Sequence, residues 1–190
     1  MTRDELRRHM RGLRATLSPA LRRAAAEAAA TSQYRDARRI AVYIAVDGEL
    51  DPEPLVARAR ADGKQVYLPV VPPGEGPLSF LPYAPGAVLR PNRFRIPEPA
   101  PDGGERLAPV ELDLVIAPLV AFDARGRRLG MGGGFYDRSF ASLKHARVPR
   151  PVLLGYAYEC QRADGFESEA WDVPLAGVVT EQQFHLFPSP

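Results

Sequence analysis

Between positions 127 and 138 the chain reads Arg-Arg-Leu-Gly-Met-Gly-Gly-Gly-Phe-Tyr-Asp-Arg, which brings glycine, cation and carboxylate together in one short stretch. Four of the sixteen glycines fall within Gly130–Gly134. Glycine inside a regular element costs roughly 0.5–1 kcal/mol relative to alanine, so a cluster between an apolar run and a helix marks a shaped turn. Backbone N–H groups in such a turn, with the N-terminus of the next helix, form a site for an anion, above all phosphate. A purely structural turn is the alternative. The spacing excludes two familiar cradles. No Gly-Lys-Ser/Thr follows as in a P-loop, and glycines at 130, 132 and 134 lack the two-then-three spacing of a dinucleotide fingerprint. Asp137 falls in the first helical turn, where the helix dipole stabilises a carboxylate by about 0.3–1 kcal/mol. A carboxylate there could equally hold a magnesium ion that bridges phosphates. Arg128 and Arg138 flank the turn and could neutralise phosphate charge.

The elements that must position this stretch can be read along the chain. Thr2 with Glu5 forms a capping box, so a helix is predicted from Arg3, with Leu6, Met10, Leu13 and Leu17 as its apolar stripe. Arg3, Arg7, Arg8, Arg11 and Arg14 share the remaining surface. They form either a solvated basic face or, through Arg3 and Arg7, a reach to a phosphate. Ser18-Pro19 predicts the start of a second helix, alanine-rich and ending near Thr31. Ile40–Val46 reads as a buried strand, Asp47-Gly48-Glu49 as a loop, Pro52–Ala61 as a helix and Gln65–Val71 as a second strand. That order favours parallel strands, whose ligands sit beyond the carboxyl ends, where Glu49 falls. The segment from Pro72 to Pro109 is dense in proline and glycine. It contains one edge-strand candidate, Leu78–Tyr83, and enough apolar residues (Phe80, Tyr83, Phe94, Ile96) to wrap over the domain as a lid or binding loop. Strands follow at Leu112–Ala117, Pro151–Tyr156 and Ala176–Thr180, with a short edge strand at Phe184–Phe187. The fold class is α/β: a three-layer α/β/α domain spanning 1–190, with a largely parallel central sheet and two N-terminal helices.

Composition narrows the function. Forty-five per cent hydrophobic and 25% charged residues describe an ordinary globular domain, large enough to need no staples. A net charge of +2 is too small to argue for nucleic acid. No apolar run reaches the roughly 20 residues of a membrane span. Asp4 and Glu5 argue against a transit peptide. The lone Cys160 excludes an internal disulfide and suits a reducing compartment, so a cytoplasmic protein is expected. His9, His145 and His185 have no metal-ligand spacing with one another or with Cys160.

The run Arg128-Leu129-Gly130-Met131-Gly132-Gly133-Gly134-Phe135-Tyr136-Asp137 resembles the signature of the 5-formyltetrahydrofolate cyclo-ligase (methenyltetrahydrofolate synthetase) family. The likeness extends through the Arg3–Arg14 helix, Gly48-Glu49-Leu50-Asp51, Ile96-Pro97-Glu98-Pro99 and Asp172-Val173-Pro174-Leu175. It implies ATP-dependent cyclisation of 5-formyltetrahydrofolate to 5,10-methenyltetrahydrofolate with release of ADP and phosphate, Mg²⁺ being required. Carried over by position, the ATP contacts match Arg3, Arg7, Arg128, Leu129, Gly130, Met131, Gly132, Gly133, Gly134, Phe135 and Tyr136. The folate contacts match Ile44, Glu49, Phe94 and Tyr136, and the magnesium ligand matches Asp137. Arg128 and Tyr136 take the catalytic positions. The partners implied are the two small molecules, with no nucleic acid or membrane, and a monomer is expected. Two departures stand out. Gly133 occupies a position where many members have lysine, so Arg127, Arg128 or Arg138 would supply the missing charge. Ala176 aligns with an aspartate linked elsewhere in the family to magnesium. A binding module that has lost the chemistry, and a nucleic-acid binder using the first helix, are the readings to be separated from the enzyme.

Overall fold

The computed structural model describes residues 1–17, 20–145 and 150–188. The helix start at Ser18-Pro19 lies outside the described residues. Ahead of the sheet come α1 (Arg3–Arg14), α2 (Leu21–Ala28) and α3 (Ser32–Asp36). There are thus three helices here in place of two, because the alanine-rich helix stops at Ala28 and Thr31 caps a new turn. The rest of the chain runs β1 (Arg39–Ala41), α4 (Glu53–Ala61), β2 (Gln65–Val70), β3 (Ser79–Pro82), β4 (Leu89–Pro91), β5 (Pro97–Pro99), β6 (Leu114–Ala117), β7 (Ala121–Phe122), β8 (Arg128–Leu129), α5 (Phe135–Phe140), β9 (Val152–Tyr156), β10 (Gly177–Val179) and β11 (Phe184–Leu186). Short 3₁₀ turns occupy Pro109–Glu111, Ala141–His145 and Glu159–Gln161.

Seven strands form the main sheet in the order β11-β10-β9-β6-β1-β2-β3. The five inner strands are parallel, and β3 and β11 run antiparallel at the two edges. Both faces are covered, which is why β6 (Leu-Val-Ile-Ala) has no polar alternate. Leu114 and Ile116 face a core shared with α2, α3 and α4, including Tyr34, Leu55 and Val56. Val115 and Ala117 face the other core, with Phe80, Phe122 and Phe140 of α5. A third cluster docks the stripe of α1 (Leu6, Met10) onto Val120, Ala121, Leu129 and Phe166, so the β7–β8 hairpin is the seat of the first helix.

Two segments differ in detail from the prediction. The strand expected over Ile40–Val46 ends at Ala41, with Val42 N–H making a last bond to the Tyr67 carbonyl of β2; residues 43–46 leave the sheet and turn toward Glu49. The Pro72–Pro109 segment is an ordered wrap. It contributes the edge strand β3 and the separate β4–β5 hairpin, as its buried Phe80 and Leu107 require.

Sheet packing also fixes Gly155 on β9. A Cβ there would meet Leu119 Cδ2 at 2.6 Å, Leu175 Cδ1 at 2.9 Å and Val178 Cγ2 at 2.9 Å. Gly155→Ala is expected to destabilise the fold by about 1–3 kcal/mol, the usual cost of overpacking. Urea denaturation measures this, and an unchanged midpoint would mean that the three neighbours yield freely.

Candidate functional site

β1 leads to β2 on one side and β6 leads to β9 on the other, so strand order reverses between β1 and β6. In an open α/β sheet the crevice at the carboxyl ends of two such strands is the natural ligand site. A cavity of about 820 Å³ lies there. The chain leaving β1 lines it with Tyr43, Ile44, Val46, Asp47 and Glu49. The chain leaving β6 supplies Pro118, Arg128 and the run Gly130–Asp137. Arg3 and Arg7 enter from α1, Asn92–Pro97 from the proline-rich wrap, and Glu169, Trp171 and Asp172 from the segment before β10. A second cavity, of about 890 Å³, opens where the strands begin, around Arg38, Arg39, Lys64 and Asp113. Its groups are structural. Asp113 Oδ2 accepts from the N–H groups of Arg38 and Arg39, and Lys64 Nζ donates to the carbonyls of Arg35 and Ala37.

The capping box of α1 is formed: Glu5 N–H donates to Thr2 Oγ1 at 3.2 Å, and Thr2 N–H donates to Glu5 Oε2 at 2.8 Å. With the apolar stripe on the hairpin, Arg3 and Arg7 emerge on the cavity side. Arg7 Nε donates to the Gly130 carbonyl at 3.0 Å and its Nη1 pairs with Asp4 at 2.6 Å. Arg3 meets Glu169 at 3.2 Å and Asp172 at 3.7 Å. The helix thereby fastens both the glycine turn and the segment before β10.

The turn itself leaves β8 at Leu129, whose side chain is fully buried beneath α1 and does not line the cavity. Gly130, Met131, Gly132, Gly133 and Gly134 do line it, with Phe135, Tyr136 and Asp137 of α5. Asp137 Oδ1 accepts from Arg128 Nη2 at 2.5 Å and from Val173 N–H at 3.0 Å. Arg128 Nη1 donates to the Val173 carbonyl. The arginine is therefore buried and doubly anchored, while Oδ2 of Asp137 takes no protein hydrogen bond among the described residues. One free carboxylate oxygen in a cavity suits magnesium, which is usually held by one or two carboxylates with substrate phosphates and water. No group of three or more His, Cys, Asp or Glu able to hold a metal occurs among the described residues. Ala176 sits immediately before β10, its N–H bonded to the Leu153 carbonyl, and is not in the cavity lining.

Across the cavity lies Glu49, only 6% exposed. Its Oε2 accepts from Val46 N–H at 3.0 Å. Burial raises its pKa from 4.5 to about 7, against the opposing pull of that hydrogen bond and of Arg14. Burial likewise pushes the Tyr136 phenol well above its ordinary value, so it stays protonated and able to donate. The Glu49 shift carries a stability signature. A raised carboxylate contributes stability fully present below about pH 4.5, which is lost as pH rises through about 7. Glu49→Gln is expected to be more stable than wild type at pH 8 by about 1–3 kcal/mol and to lose that advantage by about pH 5. Urea denaturation at the two pH values checks this, and equal differences at both would place the titration elsewhere.

Phe94, 51% exposed, meets Phe135 edge-on at 5.8 Å between ring centroids, so the wrap touches the glycine turn. Sequence reasoning did not single out Trp171, Asn92 or Arg95, all of which line the cavity. The signal that could have found Trp171 is its type, the single tryptophan of the chain, next to Asp172.

Glycines, arginines and a buried carboxylate thus share a switch-point cleft in an α/β fold, a common setting for a small-molecule site. The sequence comparison agrees. The 5-formyltetrahydrofolate cyclo-ligase family matches residues 1–181, and the chain belongs to it. It is 48% identical to 5-formyltetrahydrofolate cyclo-ligase of Escherichia coli (strain K12) over 145 residues, 76% of this chain and 78% of that one. With the Haemophilus influenzae cyclo-ligase it shares 38% over 184 residues, covering 93% and 96%. The NMR structure of Aquifex aeolicus 5,10-methenyltetrahydrofolate synthetase matches with a TM-score of 0.78 at 31% identity, over 100% of this chain and 95% of that one. The Mycoplasma pneumoniae 5,10-methenyltetrahydrofolate synthetase shares the fold at a TM-score of 0.73 and 22% identity, covering 95% and 99%.

Proposed function

We infer that the chain catalyses the ATP-dependent cyclisation of 5-formyltetrahydrofolate to 5,10-methenyltetrahydrofolate. Membership of the cyclo-ligase family supports this, and one observation carries the mechanism: the glycine turn with Arg7, Arg128 and Asp137 lies across a single cavity from Glu49. In the reading we adopt, the formyl oxygen attacks the γ-phosphorus of ATP and ADP leaves. N10 then attacks the formyl carbon, the carbon–oxygen bond to phosphate breaks and N10 gives up its proton. The protein forms no bond itself; alignment and charge neutralisation are its contribution.

The turn amides, Arg3, Arg7 and Arg128 hold the triphosphate. Glu49, near half-ionised at neutral pH, accepts or shares a proton with the pterin's N–H groups. Ile44 and Phe94 give the ring system apolar contact, and Tyr136 donates its phenol at the junction of the two ligands. Asp137, with its free carboxylate oxygen, would hold Mg²⁺, and the ion would supply neutralisation of the phosphate charge that develops during transfer. The reducing cytoplasm and a monomeric working form belong to the same reading.

The test is direct. Purified protein with 5-formyltetrahydrofolate and Mg-ATP should develop the near-ultraviolet absorbance of the methenyl product. A folded protein that binds both ligands without that band would be a binding module, and the enzymatic reading would fail.

A further inference from the structure

We propose that Arg95, at the tip of the 92–96 turn, is a phosphate-binding residue that brings a free guanidinium to the terminal phosphates of the bound nucleotide. The proposal rests on the nucleotide reading above. Four arginines and five carboxylates line the cavity. Asp47 is answered by Arg11 from outside at 3.8 Å. Within the lining, Arg3 is held by Glu169 and Asp172, Arg7 by Asp4 and the Gly130 carbonyl, and Arg128 by Asp137. The neighbours expected from sequence to supply extra charge are committed too. Arg127 pairs with Asp123 at 2.5 Å, and Arg138 donates to the Gly133 carbonyl at 2.8 Å while lying over the Phe135 ring. Arg95 is the exception: exposed, in the lining, and with no side-chain hydrogen bond or ion pair among the described residues.

Its placement is built. Arg95 has φ 63°, a left-handed conformation that non-glycine residues seldom adopt. Asn92 holds the turn there. Its carbonyl accepts from Arg95 N–H at 2.8 Å, and its Oδ1 accepts from Phe94 N–H at 2.8 Å and Ile96 N–H at 3.2 Å. Glu98 in turn anchors Asn92 Nδ2 and Val71 N–H, both at 3.1 Å. Phe94, the preceding residue, packs on Phe135, one position beyond the glycine turn. A polyanion entering the cavity meets arginines whose charge is already offset by carboxylates. Arg95 adds a charge that is not so offset.

Phosphate and the carboxylates of the folate's glutamate tail offer the same anionic oxygens, and the experiment separates them. Calorimetric titration of Mg-ATP into the full-length protein is compared for wild type, Arg95→Gln and Arg95→Lys, with KM measured for each substrate. Glutamine is expected to weaken Mg-ATP binding about tenfold, about 1.4 kcal/mol, and to leave the folate KM within about twofold. Lysine should recover most of the loss, and thermal melting should be unchanged in both variants. Unaltered Mg-ATP affinity in Arg95→Gln overturns the proposal. So does a raised folate KM alone, which would assign Arg95 to the glutamate tail. Wild-type protein that binds Mg-ATP but forms no methenyl product refutes the cyclisation reading and leaves the Arg95 comparison intact.

Discussion

Asp137→Asn is expected to give a folded protein whose cyclisation rate falls by about a thousandfold, equivalent to about 4 kcal/mol of transition-state stabilisation. The asparagine carbonyl oxygen can still accept from Arg128 Nη2 and Val173 N–H, so the anchor between α5 and the segment before β10 survives. What disappears is the negative charge on the free oxygen, and with it the hold on magnesium. Asp137→Ala separates the two roles. Like asparagine it strips Arg128, whose side chain is 5% exposed, of its counter-charge, and it also removes the oxygen that accepts from Arg128 Nη2 and Val173 N–H. Removing one partner of a buried pair costs about 3–5 kcal/mol; because Asp137 keeps 20% exposure, about 2–4 is expected here. Alanine should therefore lower both activity and the denaturation midpoint; asparagine, which keeps the acceptor, should lower activity as much and the midpoint less. If asparagine turned over like wild type at limiting magnesium, Asp137 would be a structural anchor and nothing more.

The second large effect concerns the glycine turn. Gly132→Ala is expected to weaken Mg-ATP binding by about 10–100-fold, whereas Gly130→Ala should stay within about threefold of wild type. Space does not distinguish them. A Cβ at Gly130 meets nothing within 4 Å, and one at Gly132 approaches only the end of the flexible Arg7 side chain, at 3.7 Å. Backbone conformation does: Gly132 has φ 100°, where an L side chain costs of order 1–3 kcal/mol. The chain escapes that cost by rotating the peptide groups that face the cavity, which misdirects the N–H donors. Calorimetry on the two variants decides the matter. Equal affinities would mean that the arginines, and not the amides, bind the phosphates.

Much of this architecture is written locally. The capping box, the stripe of α1 and the all-apolar β6 each follow from a few neighbouring residues, and the glycine cluster between strand and helix announced its own turn. Glu49 could be located from strand order alone, since the sheet's parallel core puts it at a carboxyl end. The Arg128–Asp137 pair was not legible. Both residues were singled out, but as independent groups meeting phosphate and metal, and their contact depends on Val173 arriving from a distant segment. Leu129 shows the opposite limit. It lies inside the signature, yet the alternation of β8 turns its side chain into the core. Arg95 was hidden because its significance is a deficit: every other arginine of the cavity has a partner, and no local pattern reveals that. The shortened β1 was not legible either: residues 43–46 are apolar enough for a strand but leave the sheet, and Tyr43, Ile44 and Val46 line the cleft.

The hydrogen bond from Arg7 to the Gly130 carbonyl joins residues 123 apart in sequence. During synthesis from the N-terminus, the first helix must wait for about two-thirds of the chain before its partner exists. Val173, which completes the Arg128–Asp137 anchor, arrives later still. In the proposed reading, nucleotide affinity therefore depends on segments as far apart as α1 and Val173. Cellular ATP, by mass action, would stabilise completed molecules and give nothing to truncated ones. Ligand-dependent protection from proteolysis, measured on chains ending before and after residue 173, would thus read out completeness of translation as well as occupancy of a site.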